Sequence, residues 1–292
     1  MSATPVGPEG PGALGAALDA HNQAPLSVRR AALLALFGLG IGTWSTLCGI
    51  GGGVFAVPLL HYLFGMSLKA AVANSLVVVA AMTSAGTLFE SLRPDAAIHW
   101  DVVLALVTTG VIGSRFGYAL AERLEVRTLK AVFAVLLVVV ATQVLWTSPD
   151  RDEAALLLPR AFAPAWEDYA LISAIGLVAG FVAPLLGIGG GLVAVPGLLL
   201  GVGEIGYVGA RACSTAMSTV NGWQSVLLYR RRGGIHAPSA AACAAGAIGG
   251  ARAGVALAHV DGVAVVAQML IALTLYLVAA RFAWDLRSSR DA

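Results

Sequence analysis

Charge is scarce in this chain. Only 12% of its 292 residues are Asp, Glu, Lys or Arg, while 58% are hydrophobic. Soluble domains carry about twice that charged fraction, so an ordinary soluble domain does not fit. Cysteine is almost missing as well. Cys48, Cys213 and Cys243 form an odd set in apolar segments, which supports no disulfide framework. They read as small buried hydrophobes. No grouping of His, Cys and carboxylates has metal-ligand spacing, and no nucleophile stands beside an activating base. Neither a metal, a cofactor nor an enzymatic activity is therefore expected. The N-terminal stretch has no basic segment leading into a compact apolar core, so no cleaved signal peptide is read there. Residues 1–28, rich in Pro, Gly and Ala, are expected to be a disordered tail. A net charge of +2 offers no basis for a nucleic-acid partner.

What the chain does have is length without charge. Apolar runs near twenty residues recur throughout, and the mean hydropathy is +0.84. The runs cover 31–47, 54–64, 70–89, 100–119 and 129–147, then 169–186, 192–202, 206–228, 237–257 and 263–284. They lack the alternation of a barrel strand, and only helices or closed barrels satisfy backbone polar groups in lipid. The fold class is therefore an all-α integral membrane protein, with the bilayer as an obligatory partner.

The chain is also a duplication. GIGGGVFAVP from Gly49 to Pro58 returns as GIGGGLVAVP from Gly187 to Pro196, 138 positions later. Ala-Val-Ala-Asn-Ser at 71–75 aligns with Ala-Arg-Ala-Cys-Ser at 210–214, and Ile98-His99 with Ile235-His236. Gly113-Ser-Arg-Phe-Gly117 aligns with Gly250-Ala-Arg-Ala-Gly254. This predicts a first repeat at 29–147, a connector at 148–168, a second repeat at 169–285 and a short tail at 286–292. Each repeat has four full spans and one glycine-broken segment. If the short pieces after the breaks return across the membrane, the repeats are inverted. If not, they run parallel. The distribution of Lys and Arg favours inversion by one charge, counting Arg93, Arg151, Arg160 and Arg211 on the outside. Both arrangements put the C-terminus in the cytoplasm.

Helix-breaking backbone within a membrane survives only where it is buried in protein or lines a cavity. Matching breaks in two halves are the best sequence pointer to a transporter's binding site. Gly49, Gly51, Gly52 and Gly53, with Gly187, Gly189, Gly190 and Gly191, free the backbone for positive φ. Pro58 and Pro196 lack an N–H. The short helix after each break then starts inside the membrane, and its positive end suits an anion. Gly51, Gly52, Gly189 and Gly190 are expected to face a cavity. Tight helix packing is the competing reading for such glycines. Asn74, Ser75 and Ser214 lie on the repeat and could bind a ligand or join helices. Arg115 and Arg252 occupy matching places in otherwise uncharged runs. They are read either as an oxyanion fork or as snorkelling anchors. His99 and His236 are read as interfacial anchors.

The paired G-x-G-G-G-x-x-x-V-P segments, each followed by a small-residue helix with Asn-Ser or Cys-Ser, resemble the sulfite exporter (TauE/SafE) family over about residues 31 to 284. The resemblance implies a secondary carrier of the bacterial inner membrane that moves small sulfur oxyanions or organosulfonates, with a coupling proton or ion. An anion channel is the alternative, and an integral membrane enzyme a more remote one.

Overall fold

The computed structural model describes residues 26–146, 164–202, 205–231, 235–258, 260 and 263–288. Residues 1–25 of the expected tail, most of the connector and the last residues of the chain fall outside these. Among the described residues there are ten helices and no strand. The first half contributes α1 (Val28–Cys48), α2 (Gly53–Pro58, prolonged by a π-helical turn over Leu59–Leu63), α3 (Leu68–Ser91), α4 (Trp100–Arg123) and α5 (Val126–Trp146). The second contributes α6 (Trp166–Leu186), α7 (Gly191–Gly201), α8 (Gly206–Arg230), α9 (Ala237–Leu257) and α10 (Val263–Ser288).

Five of these, α1, α3, α4, α6 and α9, are long and apolar enough to cross a membrane. Helix α8 is long enough but too polar to join them, because Arg211, Ser214, Thr215, Ser218, Thr219 and Asn221 all lie on it. Their burial explains the polarity: all but Thr219 are buried. Several helices begin at side-chain caps. Ser27 and Ser67 accept from the N–H of Arg30 and Ala70, each at 3.3 Å, which satisfies donors that have no intrahelical partner.

The halves interleave. Helix α1 packs along α9, and α6 packs along α4. Both contacts are backbone-close. A Cβ added to Gly38 would sit 2.0 Å from the Cys243 carbonyl oxygen, and one on Gly250 2.1 Å from that of Leu39. On the other pair, a Cβ on Gly113 would lie 2.2 Å from Leu177 O and one on Gly117 1.9 Å from Phe181 O. Small residues allow this approach where lipid supplies no hydrophobic drive between helices.

At the centre α3 packs on α8 in antiparallel fashion. Thr87 meets Thr219 at 3.2 Å, while Trp223 Nε1 donates to Ser84 Oγ at 3.0 Å. Helices α5 and α10 also run antiparallel, with Lys130 on Asp285 at 3.1 Å and the tilted rings of Phe133 and Phe282 5.0 Å apart.

Candidate functional site

Both breaks have one backbone signature. Gly49, Gly51 and Gly52 have φ of 69°, 77° and 68°, and Gly187, Gly189 and Gly190 have 73°, 81° and 94°. These left-handed values are open to glycine and costly for residues with a Cβ. They stop α1 and α6 and restart the chain as α2 and α7 inside the protein. Pro58 and Pro196, both half-buried, are each the sixth residue of the short helix that follows.

The two breaks touch each other. A Cβ on Gly53 would lie 1.8 Å from Gly187 O, one on Gly191 2.6 Å from Gly49 O, and one on Gly51 2.3 Å from Ile188 O. The start of each short helix therefore abuts the end of the opposite half's first helix. Positive and negative dipole ends oppose one another. Gly52 faces Met82 and Ser45, Gly189 faces Val79, and Gly190 faces Ala179 and Met217. The side-chain directions of Gly51, Gly52, Gly189 and Gly190 end on protein atoms rather than on a cavity. For Gly51 the space is taken by Ile188 O of the opposite break, and for Gly52, Gly189 and Gly190 by residues of the helices packed around the breaks.

Serines fasten the crossing reciprocally. Ser75 Oγ on α3 shares its one proton between Val72 O of its own helix at 2.8 Å and Gly187 O at 3.0 Å, and Ser214 Oγ on α8 donates to Gly49 O at 2.9 Å. The neighbouring residues are reciprocal too. Asn74 Oδ1 accepts from the N–H of His236 at 2.8 Å, and Cys213 Sγ from that of His99 at 3.3 Å. His236 and His99 are the N-cap residues of α9 and α4. They thus stand at helix starts, where His236 is 6% exposed and His99 half-buried. Ser75 and Ser214 are brought to the breaks, and Asn74 ties the halves at His236 instead.

Arg115 and Arg252 are not brought to the breaks. Both are exposed. Gly113 and Gly117, and Gly250 and Gly254, are four apart and face the neighbouring helix. A residue two positions along a helix points to the opposite side, so each arginine faces outward.

Among the described residues the buried guanidinium is that of Arg211, counted above with the outside charges. It forms an ion pair with Glu90, Nη2 to Oε2 at 2.7 Å, with the two side chains 1% and 2% exposed. Nη1 donates to Thr46 O at 3.3 Å. A Cβ on Gly49 would lie 2.7 Å from Arg211 Cγ, so the guanidinium arm passes beside the first break. The signal was present in the repeat, where Arg211 stands in place of the apolar Val72.

A family model described as sulfite exporter TauE/SafE matches residues 12–144 and 172–292. The chain belongs to this family. It is also similar to a protein named probable membrane transporter protein MamO from Magnetospirillum gryphiswaldense. That match is 37% identical over 119 residues, 39% of this chain and 19% of that protein. A probable membrane transporter protein from Xylella fastidiosa strain 9a5c is 27% identical over 190 residues, 62% of each chain. YunE of Bacillus subtilis, named likewise, is 26% identical over 106 residues, 36% of this chain and 38% of that protein. The matched stretches thus span less than two thirds of each relative's length. No solved structure matches the chain. The protein is a multi-pass membrane protein of a transporter family.

Proposed function

We propose that this TauE/SafE member is a secondary carrier, working as an exporter, of small sulfur-containing anions such as sulfite or organosulfonates. It operates by alternating access between two inverted repeats in the bacterial inner membrane, with its C-terminus in the cytoplasm and a coupling proton or ion. The observation that carries this reading is the reciprocal seating of the breaks, each held by a serine from the opposite half. Two further contacts favour inversion. Equivalent helices α3 and α8 lie antiparallel, as do α5 and α10.

Substrate binds between the halves, against Gly49–Gly53 and Gly187–Gly191. There the chain restarts as α2 and α7, where Gly53 N–H is turned back on Gly51 O at 2.9 Å and the remaining first-turn donors precede the helical ladder. In the conformation described, each short helix abuts the other half's carbonyls. Rocking one half against the other separates the breaks and opens those donors to an anion. Asn74, Ser75 and Ser214 then become available as ligand donors or acceptors.

The test is sulfite movement in proteoliposomes holding the full chain. A carrier gives sulfite flux that is accelerated by sulfite on the far side. A steady uniport current without such acceleration would favour the channel. Movement of neither sulfite nor sulfoacetate above protein-free liposomes overturns the proposal.

A further inference from the structure

The Arg211–Glu90 pair is an unusual investment for a membrane core. Burying two charges costs several kcal/mol per ion, and apolar replacements are often as stable or more so. The same fold shows a neutral solution. At the 139-residue offset of Ser75 and Ser214, Arg211 corresponds to Val72 and Glu90 to Tyr229. Where Arg211 Nη1 reaches Thr46 O on α1, Tyr229 Oη reaches Pro184 O on α6 at 2.9 Å. The scaffold therefore holds its other crossing together without an ion pair.

The charged crossing also has donors to spare. A guanidinium has five N–H donors and no acceptor. Arg211 Nε, Ser45 Oγ and Thr46 Oγ1 are buried with no hydrogen-bond partner among the described residues. Buried polar groups are normally satisfied, and each exception calls for a reason. These three come from α1 and α8, beside the first break. Arg211 Cγ is 2.7 Å from the position of a Cβ on Gly49, and Ser45 Oγ is 2.6 Å from that of a Cβ on Gly52. Unpaired donors around a cation need acceptors, and an oxyanion supplies only acceptors.

We propose that Arg211 is an anion-binding residue of this carrier and that Glu90 is its resident counter-ion, displaced by the transported oxyanion; this rests on the carrier reading above. Sulfite presents oxygens that fit the guanidinium fork as a carboxylate does. Ser45 and Thr46 complete the set of donors. In the empty protein Glu90 occupies the fork and keeps the cation paired. When the breaks separate, substrate exchanges with Glu90 on Arg211.

The test is sulfite-induced stabilisation of the purified full chain in detergent at constant ionic strength, with sulfate, sulfoacetate and chloride as comparisons. Wild type is expected to unfold at a higher temperature with sulfite. Glu90→Gln removes the competitor and should respond at several-fold lower sulfite concentration. Arg211→Lys should need several-fold more, since an ammonium lacks the fork. Arg211→Val should not respond. The double variant Arg211→Val with Glu90→Tyr copies the neutral crossing, so it guards against loss of fold as the cause. It should unfold cooperatively and ignore sulfite. A wild-type sulfite response in either Arg211→Val variant overturns the proposal. So does a Glu90→Gln response weakened like that of Arg211→Lys, which marks a structural brace. If wild type neither binds nor moves any of the sulfur anions, the carrier reading falls too. If wild type binds sulfite and Arg211→Val binds it equally, only this inference falls.

Discussion

The two crossings beside the glycine breaks share a backbone plan and differ in charge. In one, Ser214 holds Gly49 O while Arg211 pairs with Glu90 beside Thr46. In the other, Ser75 holds Gly187 O while Val72 is buried and Tyr229 bonds Pro184 O. The serines and glycines are common to both, so they belong to the scaffold. The ion pair exists once, so the duplicated architecture does not require it. A feature that a repeat can do without is the place to look for what the repeats do differently.

Substitution at the breaks has the largest expected effect and sharpens the shared part of the comparison. Gly52→Val and Gly190→Val each force a β-branched residue into positive φ, at about 1–3 kcal/mol. Overpacking adds about 1–3 kcal/mol. Both should abolish sulfite flux while protein remains in the membrane. Normal flux in both would break the claim that the crossing is the working centre. Next comes the charged pair. Glu90→Ala strands a buried guanidinium and should destabilise by about 3–5 kcal/mol. Tyr229→Phe on the neutral side loses one hydrogen bond, about 1 kcal/mol. Equal losses in unfolding assays would erase the contrast.

Ser75→Ala and Ser214→Ala should cost about 1 kcal/mol each. Ser214→Ala should cost slightly more, because Ser75 Oγ shares its one proton with Val72 O. A large inequality would mean that the shared plan is shared only in shape. The smallest effect belongs to Arg115→Ala and Arg252→Ala. Both side chains are exposed, so stability should change by less than about 0.5 kcal/mol. Sulfite flux at matched protein levels should stay as in wild type. A fall in both would return them to the substrate path.

The helices were legible because hydropathy and length decide what can lie in a bilayer, and the ten apolar runs recur as ten helices with ends shifted by a few residues. The breaks were legible because positive φ and a missing Cβ leave glycine as the practical residue. What sequence could not supply was which surfaces meet. Asn74 and His236 are 162 positions apart, and no local pattern joins them. Two misplacements had readable causes. Arg211 lies near a helix start, where charge counting puts it in a loop, yet small and polar residues that pack inward surround it. Arg115 and Arg252 had two readings, an oxyanion fork and a snorkelling anchor, and their exposure leaves the second. The glycines at i−2 and i+2 already marked the packed face as the opposite one.

The central claim is that the two crossings are related by inversion, and the loops next to them report it. Glu90 lies at the end of α3, just before the exposed Ala96, and Tyr229 lies at the end of α8, just before the exposed Arg231. Single cysteines, Ala96→Cys and Arg231→Cys, can be introduced after replacing the three native, buried cysteines. Each is then reacted with a membrane-impermeant thiol reagent in sealed vesicles of known sidedness. Inverted repeats predict labelling from opposite faces, with Arg231→Cys reacting from the cytoplasmic side. Labelling of both from the same face would establish parallel repeats and contradict the account.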